Sequence, residues 1–530
     1  MFESQLEQPP IPSSDVFNYV FHHGRRAYPW SKVLYRMDGT DETLTLAQLE
    51  EQSRQLGMAL KNKYDIEPND AISIYAKNRI QFPVAFFGVL AAGATVALVP
   101  MQDGMTATDI ASRLIQAKSK LLITDSSLLK LSECASSLAG CVRIVSMDQA
   151  DALTPNMATL IAQSRADLAA FELTTPEGSA DNDAIINRTS GSTGAMKSVL
   201  TTHRHYIATL EGTARTVPPD TDPAVDTWLA SSSLGFFINA KLFLSLNILL
   251  GVPVVIMPEA MDETSTSAIA RHNITFLLVF PPLVSKLAKS DLRPEQVGSL
   301  KWLLSAGASI PDNLRLALGQ KVPGVGLTLE WGASETMLIA IQTTDPATRK
   351  SGSSGTLVNG MQARVISTLT GEDLGPNECG EILVRNKLAP FKGYKDNEAA
   401  NRDFDVDGWF HMGDFGYLDA ACNVYIIDRL KELLRVGDGY GSRINVTELE
   451  DAIFDHPAIH SMVVAGVWDE ASATALPTAF VVPTPAYRPW VGYSLTLDIE
   501  HHAANVLTYL LVSLALLSHS FTPAAYCYNP

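Results

Sequence analysis

Strand-like and helix-like segments alternate along the first part of the chain, and this alternation limits the possible folds more than any other feature of the sequence. Three apolar runs predict buried strands, at 71–78, 95–101 and 120–125. A run rich in small residues predicts a buried helix at 82–94, and apolar residues at helical spacing among charges predict a surface helix at 44–65. Such alternation is typical of a parallel sheet covered by helices.

The same alternation returns in the middle of the chain and then stops. Strand-like runs occur at 252–258, 274–280 and 300–308, and helix-like segments at 267–272 and 281–290 separate them. Beyond residue 361, short runs divided by turn residues predict antiparallel strands instead. The sequence therefore predicts the α/β class, with two α/β subdomains followed by a β-rich piece.

Composition excludes several classes of protein. The chain has 530 residues, 46% hydrophobic and 18% charged, so it can bury large cores and is not a disordered chain. Its formal net charge of −17 argues against nucleic acid as a partner, although local N–H groups and a few cations can still hold a small anion. The five cysteines form no CxxC pair and the first residues lack a secretory signal, so we expect a cytoplasmic protein without a zinc ribbon.

One segment rich in glycine and hydroxyl groups is suited to binding phosphate. Residues 189–198 read TSGSTGAMKS and follow a strand-like run at 184–187. Glycines let the backbone bring N–H groups close to an anion, hydroxyl groups add donors, and Lys197 adds a mobile positive charge. The spacing differs from that of a Walker A loop, and a flexible loop without a ligand has a similar composition. On these residues alone, both interpretations stay open.

Further motifs in a compatible order give the chain a family resemblance. They are TSGSTGAMK, WGASE at 331–335, DGWFHMGDFGYLD at 407–419 and DRLKELL at 428–434. With these motifs the sequence resembles the adenylate-forming superfamily of acyl- and aryl-CoA ligases, over roughly residues 40–482. The resemblance implies an AMP-binding adenylation body at 1–428, a partial mobile α+β domain at 429–482 and a divergent apolar tail at 483–530.

The resemblance also implies a role for each motif residue. The phosphate loop with Lys197 would hold the phosphates of ATP, Glu335 would bind Mg²⁺, and Asp414 would accept hydrogen bonds from the ribose hydroxyls. Lys431 would mark the hinge between the large and small domains, and we expect Lys197, Glu335 and Lys431 to serve catalysis. The implied nucleotide-binding residues are Thr189, Ser190, Gly191, Ser192, Thr193, Gly194, Lys197, Gly307, Ala308, Trp331, Ser334, Asp414 and Arg429.

The segment expected to line the acyl pocket departs from the family pattern. The implied pocket residues are Phe236, Phe237, Gly307 and Trp331. Gly235 stands near the place of a Phe-His pair of many CoA ligases, and the Asp that anchors an α-amino group in amino-acid-activating relatives is not evident. We therefore expect a small apolar or aromatic carboxylic acid without an α-amine. His203 corresponds to a family histidine, and a metal pair with His205 lacks a third ligand nearby.

The implied reaction has two steps. A carboxylate oxygen attacks the α-phosphorus of Mg·ATP and gives an acyl-AMP and pyrophosphate. A thiol, that of CoA or of a carrier, then attacks the acyl carbon and releases AMP. ATP, Mg²⁺ and CoA are thus the implied cofactors, and the family rotates its small domain about the hinge between the steps.

The C-terminal end departs furthest from the family. Relatives end in a lysine that reaches the α-phosphate, whereas no lysine follows Lys431 here, and the glycine-rich loop after KELLR is longer. The apolar run at 506–517 is short for a membrane span, so a buried helix or a tail that is not native-like is expected, and a tail anchor is the less favoured alternative. Two functions stay open: a ligase with impaired adenylation, or a pseudoenzyme that binds nucleotide or acyl-adenylate, as a splice or decay product would.

Overall fold

Five β-sheets organise the part of the chain that the computed structural model describes. The described residues are 1–7, 10–22, 26–148, 154–164, 179–189, 196–261, 266–289, 292–307, 310, 312–345, 347–402, 404, 407–431, 433–435, 443–444, 446–454, 456–469, 474–487, 499 and 513–516. Two large sheets contain parallel strands, a third is antiparallel, and two small sheets lie in the C-terminal segment.

A six-stranded sheet, called here the N-terminal sheet, contains the first group of predicted strands. Its strands, in spatial order, are Arg143–Ser146, Ser119–Thr124, Ala71–Tyr75, Thr95–Leu98, Asp183–Arg188 and Ser198–Thr202. All neighbours are parallel except the last two strands, which form an antiparallel hairpin. The phosphate-loop segment is therefore the connection of a hairpin at the edge of this sheet.

A nine-stranded sheet, called here the central sheet, contains the second group. Its strands, in spatial order, are Thr356–Leu357, Met337–Ile341, Gly326–Ala333, Trp302–Ala306, Phe276–Val279, Trp228–Ala230, Val254–Ile256, Val33–Met37 and Thr43–Thr45. The strands from Gly326–Ala333 to Val33–Met37 are parallel. Their carboxyl ends share one edge of the sheet, which is where ligands bind in folds of this class.

The two faces of the central sheet are buried in different cores. Phe276 and Trp302 belong to the main core, which continues into the N-terminal sheet. Leu277 and Leu303, their neighbours along the strands, belong to a separate core on the other face. Because side chains alternate along a strand, burial on both faces explains why these strands read as continuous apolar runs.

The β-rich piece is an antiparallel sheet that holds the DGWFHMGDFGYLD motif. Its strands, in spatial order, are Phe2–Glu3, Met361–Ile366, Gly380–Asn386, Phe410–Leu418 and Val424–Arg429. Every neighbouring pair is antiparallel, and the first strand of the chain closes one edge. The motif therefore lies on an inner strand of this sheet, which fixes its side chains on both faces.

The C-terminal segment forms a small α+β unit. Its strands are Leu434–Arg435 with Arg443–Ile444, and Ile459–Asp469 with Thr474–Pro483 and Ser513–Leu516. The helix Val446–Phe454 places Leu449 and Ile453 in a core with Val464 and Val481. Ile499 is also buried in that core, beyond the predicted boundary between 482 and 483, and that boundary stays a prediction.

Helices cover the two large sheets. The α-helices are Val16–His22, Leu46–Tyr64, Phe82–Ala91, Ala107–Ala117, Leu129–Leu138, Met157–Gln163, His203–Ala214, Phe237–Asn239, Asn247–Leu250, Ser267–Arg271, Pro281–Lys289, Pro294–Val297, Asp312–Lys321, Glu398–Asn401 and Val446–Phe454. Ser126–Leu128 and Ser179–Asp181 are 3₁₀-helices, and Ala240–Leu246 is a π-helix. The fold class predicted from the sequence is thus confirmed, and helix and strand ends differ from the predicted ends by a few residues.

Two helices of the N-terminal sheet show how local sequence sets the packing. Thr45 begins the helix Leu46–Tyr64 with a capping box, in which its side chain accepts from Gln48 N and the Gln48 side chain accepts from Thr45 N. Gly57 lies against the helix Phe82–Ala91, where an added Cβ would be 2.9 Å from Ala91 Cβ. The two helices can therefore approach closely only because this position has no side chain.

The structure corrects one expectation about the apolar tail. The sequence predicts a buried helix at 506–517, but Ser513–Leu516 is a strand that pairs in parallel with Thr474–Pro483. The open edge of Thr474–Pro483 offers unpaired N–H and C=O groups, and this pairing overrides a helical preference. The rest of the run lies outside the described residues. No helix among those described has the length and apolarity to cross a bilayer.

The close approach at Gly57 yields a stability prediction. We expect Gly57→Ala to lower the free energy of unfolding by about 1–3 kcal/mol, because the new methyl group overlaps Ala91. Gly319→Ala is the matched control, since Gly319 is exposed in the helix Asp312–Lys321 with no atom within 4 Å of an added Cβ. It should gain about 0.5–1 kcal/mol from helix propensity. Urea unfolding followed by tryptophan fluorescence measures both, and equal effects would contradict the packing argument.

Candidate active site

The phosphate-loop segment is closed at its base by two hydrogen bonds. Thr189 N donates to the Lys197 carbonyl at 3.1 Å, and Lys197 N donates to Thr189 Oγ1 at 3.1 Å. Arg188 and Ser198, the next residues outward, are paired across the hairpin. The two ends of the segment are thus held together by the N-terminal sheet. The predicted phosphate ligands between them lie outside the described residues: Ser190, Gly191, Ser192, Thr193 and Gly194.

Glu335 lies in a tight turn after the strand Gly326–Ala333. At Gly332 an added Cβ would be 2.0 Å from the Met337 carbonyl, so this turn requires glycine there. Ser334 Oγ donates to the Arg188 carbonyl at 3.0 Å, which ties the turn to the strand that leads into the phosphate loop. The Glu335 residue is 7% exposed. A buried carboxylate therefore faces the phosphate-loop hairpin, and its role in binding Mg²⁺ stays a prediction.

Tyr394 connects Glu335 with Lys197, and the sequence analysis missed it. Its hydroxyl donates to Glu335 Oε1 at 2.6 Å. Lys197 Nζ lies 4.7 Å from the centroid of its ring, a distance typical of a cation–π contact. The one signal in the sequence is a Gly-Tyr pair within the polar segment FKGYKDN. Nothing in that segment alone predicts a contact with either motif.

The segment around Tyr394 runs along the outer strand of the phosphate-loop hairpin. Leu200 N donates to the Gly393 carbonyl at 3.1 Å, and Lys395 N donates to the Ser198 carbonyl at 2.9 Å. Gly393 has a φ of +123°, which favours glycine. Backbone pairing on both sides of Tyr394 therefore fixes the direction of its side chain toward the site.

The pKa of Glu335 reflects burial opposed by its neighbours. Burial raises this pKa, whereas the Tyr394 hydroxyl and the charges of Lys197 and Arg429 lower it. Burial is the larger effect, so the carboxyl takes up a proton more readily than in water. Further positive charge beside Glu335 would favour its ionised form.

Asp414 brings the central sheet and the β-rich sheet together. Trp331 Nε1 donates to Asp414 Oδ2 at 2.8 Å, and Arg429 Nε lies 2.7 Å from Asp414 Oδ1. Arg429 is the neighbour of Asp414 across the antiparallel pair, and Asp414 is only 2% exposed. A carboxylate is also the type of group that accepts hydrogen bonds from hydroxyl groups. The structure thus joins three of the predicted nucleotide-binding residues.

Gly307 ends the strand Trp302–Ala306 at the carboxyl edge of the central sheet. Its φ is +87°, a conformation that favours glycine, and no atom lies within 4 Å of an added Cβ. Open space beside exposed backbone is suited to a planar ring. Ala308, predicted to act with Gly307, lies outside the described residues.

Aromatic side chains lie near the same edge, where the helical segment that begins at Phe237 meets the end of the strand Phe276–Val279. The Phe236 ring is 6.3 Å from that of Phe280, and the Phe237 ring meets Tyr206 edge-on at 5.6 Å. At Gly235 an added Cβ would be 2.8 Å from Pro100 Cα. The backbone leaves no room for a side chain at this position, which gives a physical reason for the departure from the Phe-His pair.

Three candidate residues lie apart from this cluster. Lys431 is exposed in the turn after Val424–Arg429, and its hinge role stays a prediction. His203 Nδ1 accepts from Val16 N at 3.0 Å and so holds the N-terminal helix. Buried His205 is 1% exposed. Among the residues that the structure describes, no three His, Cys, Asp or Glu side chains gather to hold a metal, so the histidine metal pair has no support.

The residues present fit Mg²⁺ that is shared with a nucleotide. Mg²⁺ is commonly bound by one or two carboxylates together with phosphate oxygens, and a cage of protein ligands is not needed. Glu335 supplies one buried carboxylate on the phosphate-loop side of the turn. Lys197 and Arg429 supply positive charge that phosphate groups would neutralise.

Tyr394 should act as a positioning residue for Glu335. We expect Tyr394→Phe to raise the dissociation constant for Mg·ATP by about 10-fold, because a hydrogen bond to a charged group is lost. Tyr64→Phe is the matched control, since the buried Tyr64 hydroxyl has no hydrogen-bond partner within the described part of the chain. Isothermal titration calorimetry measures both variants. Equal affinities of wild type and Tyr394→Phe would contradict the role.

His205 should make the stability of the fold depend on pH. Burial lowers the pKa of His205 from 6.5 to about 4. Between these two pH values His205 is therefore protonated in the unfolded chain but neutral in the folded chain. The contribution of neutral His205 to the free energy of unfolding is therefore fully present above the pKa of the unfolded state, and it is lost as the pH falls from about 6.5 toward about 4. Between about pH 7.5 and about pH 5 we expect this residue to account for a loss of about 2 kcal/mol.

The test compares His205→Leu with the exposed-site control His460→Leu in urea unfolding at both pH values. The His205 variant should lose less stability on acidification than wild type, whereas the control should behave as wild type. The same loss in all three proteins would contradict a buried neutral His205.

Comparisons with known proteins agree with this geometry. The family model described as AMP-binding enzyme matches residues 21–395. 4-Coumarate–CoA ligase 2 of Oryza sativa subsp. japonica is 30% identical over 505 residues, covering 91% of this chain and 86% of the relative. Acyl-CoA ligase azaF of Aspergillus niger is 28% identical over 499 residues, covering 89% of each protein.

Solved structures share the fold at lower identity. The anthranilate CoA ligase AuaEII in complex with anthranoyl-AMP has a TM-score of 0.80 and 20% identity, covering 96% of this chain and 94% of its own. The ATP-bound RpMatB-BxBclM chimera B1 has a TM-score of 0.80 and 19% identity, covering 95% of each chain. With the match over residues 21–395 and the motifs gathered at one site, the chain belongs to the AMP-binding enzyme family of adenylate-forming proteins.

Proposed function

We propose that the protein activates a carboxylic acid with ATP and transfers the acyl group to a thiol, with CoA as the expected acceptor. The observation that carries this proposal is that contacts link Lys197, Glu335 and Asp414, which come from different parts of the chain. Lys197 lies over the ring of Tyr394, whose hydroxyl donates to Glu335, and Asp414 accepts from Trp331 on the strand that leads into the Glu335 turn. Cations, a metal-binding carboxylate and a diol acceptor are the groups that ATP requires. The printed names of the curated relatives, which are CoA ligases, support the acceptor.

In this proposal each residue has one task in the first step. Lys197 and the loop from Thr189 to Gly194 hold the phosphates, Asp414 with Arg429 holds the ribose, and Trp331 and Gly307 flank the adenine. The acid carboxylate attacks the α-phosphorus, and pyrophosphate leaves as the α–β bridging bond breaks. Mg²⁺ on Glu335 would neutralise phosphate charge. The protein thereby contributes positioning and charge stabilisation.

The second step requires a thiol to reach the acyl carbon of the adenylate. A thiolate forms the new C–S bond, and AMP leaves with the former carboxylate oxygen. Lys431 is exposed after the last strand of the β-rich sheet. It is the proposed hinge about which the small domain rotates between the two steps. We expect a small apolar or aromatic acid, because the predicted pocket residues Phe236, Phe237 and Trp331 offer aromatic rings, with Phe236 beside Phe280 and Phe237 beside Tyr206. A cytoplasmic location remains part of this proposal.

A second candidate function rests on the C-terminal sequence. No lysine follows Lys431, so the cation that relatives bring to the α-phosphate has no counterpart in this sequence. Loss of one such charge-stabilising group commonly lowers a rate constant by about 10²–10³-fold. A protein that binds nucleotide or acyl-adenylate without turnover is therefore the alternative, and we favour slow turnover because the nucleotide-binding residues are retained.

Turnover can be measured without knowing the thiol. Pyrophosphate release is followed with a panel of fatty and aromatic acids, and hydroxylamine traps the acyl-adenylate. We expect slow release that depends on the acid and falls by about 10²-fold in Lys197→Ala. Lys301→Ala is the control, because Lys301 is an exposed lysine paired with Asp226 away from the cluster. If wild type releases pyrophosphate in an acid-dependent way and Lys197→Ala releases it equally fast, the assignment of the site is contradicted.

A chimera separates the two candidate functions. The C-terminal end of a CoA ligase relative, which carries the lysine, replaces residues after 482, and a second chimera has alanine in place of that lysine. Faster adenylation in the first chimera alone supports an impaired ligase. Tight binding of an acyl sulfamoyl adenosine with no turnover in wild type or in either chimera supports the pseudoenzyme.

A further inference from the structure

The carboxyl edge of the central sheet forms one wall of the proposed acyl site. Val279 is paired with Ser305, and Ala306 with Glu330, so the ends of three parallel strands lie side by side. Because residues in register share a face, Glu330 points to the same side of the sheet as Ala306. That face carries the main core, against which Phe280 also packs.

A helical segment covers this face opposite the strand ends. It begins at Phe237 and continues as the π-helix Ala240–Leu246. Lys241 lies four residues after Phe237, and therefore about one helical turn beyond it on the same side. π-Helical turns are rare and are found frequently at functional sites. The segment thus places an aromatic ring and an ammonium group about one helical turn apart, beside the central sheet.

Lys241 and Glu330 form a buried ion pair that joins the helical segment to the central sheet. Lys241 Nζ is 2.6 Å from Glu330 Oε1, and the two side chains are only 2% and 8% exposed. Burial of two charges is expensive unless their remaining hydrogen-bonding groups also find partners. Core positions of this kind are filled by apolar residues when stability alone decides. The pair therefore requires an explanation beyond packing.

The pair is incomplete as it stands. Glu330 Oε2 is buried and has no hydrogen-bond partner among the residues that the structure describes. A lysine ammonium has three N–H donors. Among the described residues, the Lys241 ammonium donates one hydrogen bond, to Glu330. An acceptor that needs a donor thus lies beside a donor that needs an acceptor. One group that both donates and accepts would satisfy both.

We propose that Lys241 and Glu330 form the far end of the acyl pocket and select carboxylic acids whose distal end carries an uncharged hydroxyl group. This inference rests on the proposed function and narrows its substrate class. The hydroxyl donates to Glu330 Oε2 and accepts from Lys241 Nζ. The body of the acid lies along Phe236 and Phe237, with its carboxylate toward the nucleotide.

Other distal groups fit the pair less well. A second carboxylate would lie against Glu330, and an ammonium group would lie against Lys241, so each meets a like charge at short range. A methyl group or an unsubstituted ring would leave Glu330 Oε2 without a partner in a site that excludes water. An unpaired buried polar group costs more binding free energy than a lost apolar contact does. Selection thus follows from hydrogen bonding and not from pocket size.

Matched acyl sulfamoyl adenosines test the inference by binding alone. The probes are the hydroxyphenylpropanoyl and phenylpropanoyl pair and the hydroxyhexanoyl and hexanoyl pair, with AMP as a probe of the nucleotide site. Wild type should bind the hydroxylated member of at least one pair about 10–100-fold more tightly than its partner. The double variant Lys241→Met with Glu330→Met should bind both members within about twofold while AMP binding is kept.

The control double variant is Lys387→Met with Glu3→Met. It removes an ion pair of the same residue types that is half exposed on the β-rich sheet, with Lys387 Nζ 3.1 Å from Glu3 Oε1. It should keep the wild-type preference. AMP binding in every variant reports an intact fold, so a change in preference is assigned to the pocket.

The outcomes separate this inference from the proposed function. Equal affinity of wild type for both members of each pair, with AMP bound, overturns the selection of a hydroxyl group and leaves the adenylation proposal standing. A hydroxyl preference that persists in the Lys241 and Glu330 double variant also overturns it, because the pair would then be structural. Failure of wild type to bind AMP and every probe overturns both.

Discussion

The hydrogen bond between Tyr394 and Glu335 is the interaction on which the rest of the site depends. It joins the turn after Gly326–Ala333 to the backbone segment that pairs with the phosphate-loop hairpin. Lys197 lies over the ring of the same tyrosine. One phenol thus sets the separation between a buried carboxylate and the base of the phosphate loop, and these two features belong to different sheets.

Buried charge is the common element of the site, and each case is compensated differently. Asp414 is held by Trp331 and Arg429, whereas Glu335 has one hydroxyl donor and a pKa raised by burial. Glu330 keeps one oxygen without a partner. A buried polar group without a hydrogen-bond partner reduces the free energy of unfolding. Such groups are typical of sites where a bound ligand supplies the partner. Glu330 and the Glu335 turn lie near the carboxyl ends of parallel strands, where folds of this class bind ligands.

The sequence predicted the fold class and most of the motif residues but not the contacts between them. The helix Leu46–Tyr64 and the strand Phe276–Val279 follow directly from apolar spacing. Tyr394 meets Glu335 across 59 residues and Lys241 meets Glu330 across 89, and no local pattern encodes such distances. The strand Ser513–Leu516 was missed for a related reason, since it depends on an open edge elsewhere in the chain.

Binding of Mg·ATP to the full chain tests the central claim most directly, because it depends on the nucleotide site and not on the missing lysine or the identity of the acid. Isothermal titration calorimetry of wild type should give saturable binding close to one nucleotide per chain. Asp414→Ala should weaken it by at least about 10-fold, since it removes the buried carboxylate that we propose accepts hydrogen bonds from the ribose hydroxyls. No saturable binding by the folded wild type, or full affinity in Asp414→Ala, would contradict the account.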